Sequence, residues 1–438
     1  MIASTGSVRR SRPLKMGRVF TGLIGVVCVG FLVTLVACIT TQFTTTPLPH
    51  RLIFEEDIPL PGAMPDAFRT AKNPLAPGLS VFFDHFDFQV VDPQMHLLFI
   101  VHTGPSPDRV HQLNPNFNPD TDAKTDGNIV VFDTLHKKVI GLLNIPQATG
   151  IVLAPDLHKA YAADGNDNIV YVIDEKTFHY SPIPLQPNDS PDGLAYDQKD
   201  HLIYVSNPGA PSHPDVSNVI DQKNQNETVI DALTDKVIAV IPLGIDGKWG
   251  DDVGHVRYDP MLHRMYVVVE QLPNPDDPNP NLLPPPGKAF LVAIDPVAHK
   301  VLMRMMLPEY CFVPHGVAID TAQHIAFIAC VDADPPSLYR VDLRKMQLFP
   351  EPGWPLPVKP DIIALDTSLH LVYVACGAGL AVFQENGRAL KWLGSYTYGV
   401  NTHTVAVNEE THEIYLPLVR VGGRPVLRIM RYNPEGVV

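Results

Sequence analysis

Seven stretches of this chain share one pattern: a hydrophobic run, usually an acidic residue, a histidine, then an apolar-aromatic strand. They read VVDPQMHLLFIV, VLAPDLHKAYAA, LAYDQKDHLIYV, VRYDPMLHRMYV, VAIDTAQHIAFI, IALDTSLHLVYV and VAVNEETHEIYL. The histidines are His96, His158, His201, His263, His324, His370 and His412, spaced by 62, 43, 62, 61, 46 and 42 residues. Short strands recurring at such intervals, about 40–60 residues, are the signature of a β-propeller. Each repeat has a second half, in which a strand ends in an acidic residue and another strand follows. Asp133, Asp174, Asp231, Asp295 and Asp342 recur at that turn. Four strands per repeat make one blade, and seven copies predict an all-β, seven-bladed ring.

The last repeat runs out of chain before its fourth strand. The segment LIFEEDIPLPG (Leu52–Gly62) resembles the fourth-strand type KVIAVIPLG (Lys236–Gly244). It is expected to complete the last blade and close the ring, leaving only short, protected strand edges. On length alone, 438 residues suggest two or three domains. The repeat overrides that count, because no single blade can bury its own faces. Residues 51–438 are therefore read as one propeller, rich in proline where loops tolerate a missing N–H.

The N-terminus is a separate object. Arg9, Arg10, Arg12, Lys15 and Arg18 precede an uncharged apolar run from Val19 to Ala37. That order marks either an export signal or a membrane anchor. Leu35-Val36-Ala37-Cys38 resembles the bacterial lipoprotein box, in which the cysteine is lipidated and the residues before it are removed. The alternative is an uncleaved span, since about 20 apolar residues cross a bilayer. Residues 1–37 are thus a signal or anchor, 38–50 a linker, and the propeller is expected in the cell envelope, outside the cytoplasm. Losing five basic residues with 1–37 takes the formal charge from −14 to −19. So acidic a surface disfavours nucleic acid as a partner. A closed ring needs no second copy to complete its core, so a monomer is expected.

Cys311, Cys330 and Cys376 remain in the propeller. Cys311 precedes the first strand of blade five and Cys330 ends the antiparallel second strand, so both reach the same rim. Either these two form a disulfide or all three are buried thiols.

Aligning the repeats on their histidines places one set of positions at the mouth of the central channel: Asp87, Thr149, Asp192, Gly254, His315, Asp361 and His403. His255 and Asp252 flank the glycine and substitute for it. Imidazoles and carboxylates converging on an axis suit a divalent metal or a polar ligand. Of these, His315, His403 and Asp361 are the candidate metal ligands. Insertions at Thr103–Asp126, Asn207–Asn226 and Gln271–Gly287 are expected to overhang this mouth, and loops on a rigid scaffold often carry binding function. The seven repeat histidines fall on the opposite face, spread around the ring, and read as structural. The chain has no GxSxG elbow, HExxH, Walker loop or CxxC pair.

The YV-type strands, the acidic turn and the IPLG-type fourth strand resemble the YVTN/YncE-like β-propellers, exported bacterial proteins of mostly undefined function. The resemblance spans about Leu52–Tyr432. Here the strands read YVSN, YVVV, FIAC and YVAC rather than the literal motif. The related gluconolactonase-like propellers hold a channel metal on acidic and amide side chains. This ring does not match that set, so the resemblance carries over no metal site.

Two functional readings follow. One is a tethered module that binds a ligand, a protein or an envelope polymer through its loop-rich face. The other is a metal-dependent, lactonase-like hydrolase in which His315, His403 and Asp361 hold the ion and Asp192 or Asp87 is the base.

Overall fold

The computed structural model describes residues 51–60, 85–103, 127–145, 147–165, 167–187, 189–209, 225–244, 252–272, 288–311, 313–331, 333, 335–387, 389–399, 402–422 and 424–435. Among them, seven antiparallel sheets follow one another along the chain, and the fold is an all-β, seven-bladed propeller. Blades one to six occupy 85–143, 148–184, 194–242, 253–306, 314–355 and 360–397. Blade seven holds Ala406–Asn408, Glu413–Val421 and Arg424–Tyr432, with Leu52–Pro59 hydrogen-bonded antiparallel to the last of these. The basic-apolar segment with Cys38 lies outside the described residues, as do 104–126, 210–224 and 273–287, the bulk of the three insertions. No described helix is long and apolar enough to cross a membrane.

Burial falls off across each blade. The second strands Leu97–Thr103, Leu202–Asn207, Ile325–Cys330 and Leu371–Cys376 are buried at every residue. Both faces of these strands lie under a neighbouring blade, so they read as continuous apolar runs instead of alternating ones. The outer strand Lys236–Pro242 is largely exposed and keeps its lysine and proline at the rim. The residue three places after each repeat histidine is aromatic and sealed: Phe99, Tyr161, Tyr204, Tyr266, Phe327, Tyr373 and Tyr415. Two of the tyrosines also stitch blades together. The Tyr161 hydroxyl donates to Asp235 in the next blade at 2.6 Å, and that of Tyr204 to the Pro296 carbonyl at 3.3 Å.

All seven repeat histidines have positive φ, between 50° and 60°. Each occupies the left-handed position that lets the hairpin between strands one and two turn tightly, a conformation histidine tolerates better than bulkier or branched residues. In five repeats an aspartate four places earlier caps the same turn, Asn408 does so in the seventh, and the second has Ala154 there. Asp92, for example, accepts the N–H groups of Gln94 and Met95 at 2.8 and 2.9 Å. The imidazoles then reach sideways. His324 pairs with Asp259 of the preceding blade at 2.7 Å, and His412 with Asp366 at 2.8 Å. Their partners are carboxylates of neighbouring turns, not one shared ion. Asp133, Asp174, Asp231, Asp295 and Asp342 cap the hairpin between strands three and four in the same way.

Cys311 and Cys330 are joined as a disulfide, with a Cα–Cα distance of 5.1 Å, and Cys376 is a buried free thiol.

Candidate functional site

The inner strand of five blades carries the same irregularity. Register slips between Phe86 and Gln89, Ala148 and Ile151, Val253 and Val256, Pro314 and Val317, and Pro360 and Ile363. Each slip leaves two residues outside the ladder, and a bulge of this kind turns side chains away from the sheet plane. The residues so released are Asp87-Phe88, Thr149-Gly150, Gly254-His255, His315-Gly316 and Asp361-Ile362. They are the positions that the histidine alignment places at the mouth. In blades three and seven, Asp192 and His403 lie just ahead of the inner strands Leu194–Asp197 and Ala406–Asn408.

The side chains meet across the ring. Phe88 of blade one and His255 of blade four, on opposite sides of the axis, pack with ring centroids 4.6 Å apart. Both are buried. The His255 and His315 rings lie 4.9 Å apart. Oδ1 of Asp361 stands 3.5 Å from Nε2 of His255 and 3.9 Å from Nε2 of His315. Its Oδ2 takes Nε2 of His403 at 2.9 Å, and His403 also faces Asp87 at 3.7 Å. Nδ1 of His315 turns back to Glu270 at 3.4 Å.

The field is strongly polarised. Burial drives the carboxyl of Asp192 up, and neighbouring Asp87 adds to it. Asp252 is raised by burial and by Glu270. Burial disfavours a charged His315, but Asp361 and Glu270 outweigh it and lift the imidazole well above its ordinary value. The same contest at His403 is won by Asp361 and Asp87. His255 goes the other way, held neutral by burial and by the adjacent His315. The mouth therefore offers one neutral imidazole, two cationic ones and a surplus of carboxyl groups.

Among the described residues, one donor atom each of His255, His315 and Asp361 lies within 4.8 Å of the others, and His403 meets Oδ2 of Asp361. Thr149 donates to the Pro191 carbonyl at 2.9 Å and so ties blade two to blade three. Glu270 and Arg257 were not picked out by the repeat pattern. Arg257 has a signal in the sequence, since the other blades carry Val90, Val152, Ala195, Ala318, Ala364 and Ala406 at that place. Its guanidinium, 5.9 Å from the Phe88 ring centre, donates to the Val256 carbonyl and loses affinity for its proton through burial.

Glycine beside a ring residue sets the spacing. A Cβ on Gly316 would lie 1.9 Å from the Asp361 carbonyl oxygen, and one on Gly150 equally close to that of Asp192. Blade six can bring Asp361 beside His315 only because residue 316 has no side chain. Gly316→Ala is expected to cost about 1–3 kcal/mol, the range for overpacking a tight contact, and to push Asp361 off His315. Denaturant unfolding, with the NMR shifts of the His315 and His403 ring protons, checks both. An alanine variant with unchanged stability and imidazole shifts would show that the contact relaxes freely.

No protein-family model matches this chain, and no curated protein does either. Solved structures match it in fold. The RRP9 WD40 repeats superpose with a TM-score of 0.55 at 10% identity, over 80% of this chain and 94% of that one. The U3-55K structure gives 0.54 at 10% identity, over 79% and 95%. Hydrazine synthase from Kuenenia stuttgartiensis gives 0.53 at 12% identity, over 78% and 95%. At such identities the similarity identifies this chain as a β-propeller and goes no further.

Proposed function

We propose that this chain is a membrane-tethered, extracytoplasmic binding propeller of the YVTN/YncE-like kind, which takes a small polar or ionic ligand at its channel mouth. The observation that carries the reading is the meeting of bulge side chains from blades one, four, five and six with one another. In this reading Leu52–Pro59 closes the ring, the segment ending at Cys38 supplies the lipid or membrane anchor, and the protein acts as a monomer. In the same reading the insertions at Thr103–Asp126, Asn207–Asn226 and Gln271–Gly287 select what binds, whether a free ligand or a group presented by an envelope partner. A mouth lined by imidazoles and carboxyl groups favours a polar or charged ligand of complementary charge.

The test is a thermal-unfolding panel on the full chain in detergent, with divalent cations, organic acids, phosphate and sugars. A ligand that binds only the folded state raises the transition by mass action. At least one class is expected to stabilise the wild type and to lose its effect in an Asp361→Asn, His403→Gln variant. A panel in which nothing shifts the wild type, or in which the variant shifts equally, would remove the mouth as the binding site. The hydrolase alternative requires the same mouth to hold a cation.

A further inference from the structure

His255 stands at the mouth beside Gly254, where the other bulges carry a side chain one place earlier. It is 0% exposed, and neither ring nitrogen has a hydrogen-bond partner among the described residues. A buried imidazole without partners is costly, on the order of 1–3 kcal/mol for each unsatisfied group. Its Nε2 nevertheless points at Oδ1 of Asp361, which His315 also faces through its Nε2. One donor atom from each of the three residues falls within 4.8 Å of the others.

We propose that His255, His315 and Asp361 form a binding site for a divalent transition-metal ion such as Zn²⁺ or Co²⁺. The inference rests on the mouth being the ligand site and names the ligand's chemistry. Two imidazoles and one carboxylate are the donor set that suits such ions, in contrast to the all-oxygen shells of calcium and magnesium. Tetrahedral bonds of about 2.0–2.1 Å place ligand atoms roughly 3.3 Å apart. Two of the three edges, at 3.5 and 3.9 Å, lie near that spacing, and all three are within 4.8 Å.

The surroundings are those of a metal centre too. A ligating histidine commonly gives its other nitrogen to a carboxylate, which fixes the ring and its tautomer. His315 does so through Nδ1 to Glu270, at 3.4 Å. The carboxylate ligand is steadied in turn, because His403 holds Oδ2 of Asp361 while Oδ1 faces the imidazoles of His255 and His315. Phe88 packs its ring against that of His255. Three protein ligands leave the remaining coordination positions open toward the mouth, where an oxygen of an incoming ligand can bind.

The experiment is equilibrium dialysis of chelator-stripped full-length protein against Zn²⁺ or Co²⁺. It is read by elemental analysis and by the visible absorption of bound Co²⁺. The wild type is expected to take up about one equivalent, with the intense bands of a low-coordinate site. His255→Leu and His315→Gln should each weaken binding by more than about 100-fold. Glu270→Gln, which alters only the outer contact, should weaken it about 10–100-fold. Circular dichroism verifies that each variant is folded, and Asp361→Asn replaces any that is not. An empty wild type overturns the metal assignment, while stabilisation by anions or sugars in the thermal panel leaves the binding reading standing. Uptake unaffected by His255→Leu and His315→Gln would place the ion elsewhere and overturn it as well.

Discussion

Replacing Arg340 by alanine will lower the unfolding free energy by about 3–5 kcal/mol, the cost of removing one partner from a buried ion pair. Arg340 is 1% exposed in the third strand of blade five. Its guanidinium bonds Glu351 in the same blade and reaches Glu385 of blade six at 3.2 Å, while it stacks on Phe349 with the ring centre 4.2 Å away. Without it, two carboxylates lose their counter-charge at the seam between blades five and six. The loss depends on pH. Burial drives Glu385 up from 4.5 to about 7 even though Arg340 pulls it down. The folded state therefore holds more protons than the unfolded chain in this window, and stability falls as pH rises through it. Removing Arg340 lifts this carboxyl further, so the deficit of Arg340→Ala should be smallest below pH 4.5 and grow toward neutrality. Urea unfolding at several pH values measures it. A deficit under about 1 kcal/mol, flat with pH, would mean that the pair contributes nothing net. A triple replacement by apolar residues should recover most of the loss, as it does where a buried pair gives way to well-packed side chains.

The second large effect is expected from the disulfide. Cys311 and Cys330 enclose 19 residues of separation, and closing a loop of that size restricts the unfolded chain by about 3 kcal/mol. Cys311→Ser with Cys330→Ser, or treatment with reductant, should lower stability by that amount. Cys376 is buried and its thiol is pushed up to about 12, so exchange with it should not scramble the pair. Peptide mapping of unreduced protein must recover the 311–330 cross-link, and finding both as free thiols would cancel the prediction. Cys311 lies one turn before Pro314 and His315, so the bond also braces the strand that delivers His315.

The fold was legible because the seven histidines do one geometrical job. A left-handed turn residue at the same place in every repeat leaves its mark in the chain whatever the loop lengths between. The mouth was legible only in part. Counting back from the histidines reaches Asp87, His315 and Asp361, because their blades run the same distance from turn to bulge, and reaches His403 just ahead of the inner strand of blade seven. The count cannot tell which of two bulge residues faces the axis, and at Gly254-His255 the side chain that matters is the second. Glu270 comes from the far end of the second strand, where the other blades place residues of no common chemistry. Its partnership with His315 exists only in three dimensions. Arg257 was visible as a departure from Val and Ala, but its meeting with Phe88 joins blades that the sequence keeps far apart.

The bulges have a last consequence. Residues inside the ladder are constrained twice, by their hydrogen bonds and by the blade packed above them. A bulge releases its pair from the first constraint, and where glycine keeps the neighbouring blade at its distance, the other residue is released from the second. The chemistry of the mouth can then change one side chain at a time while the ring around it stays as it is. The same scaffold could be retuned to a different ion or anion by substitutions at Asp87, His315 and Asp361 alone, provided that Gly150 and Gly316 are left in place.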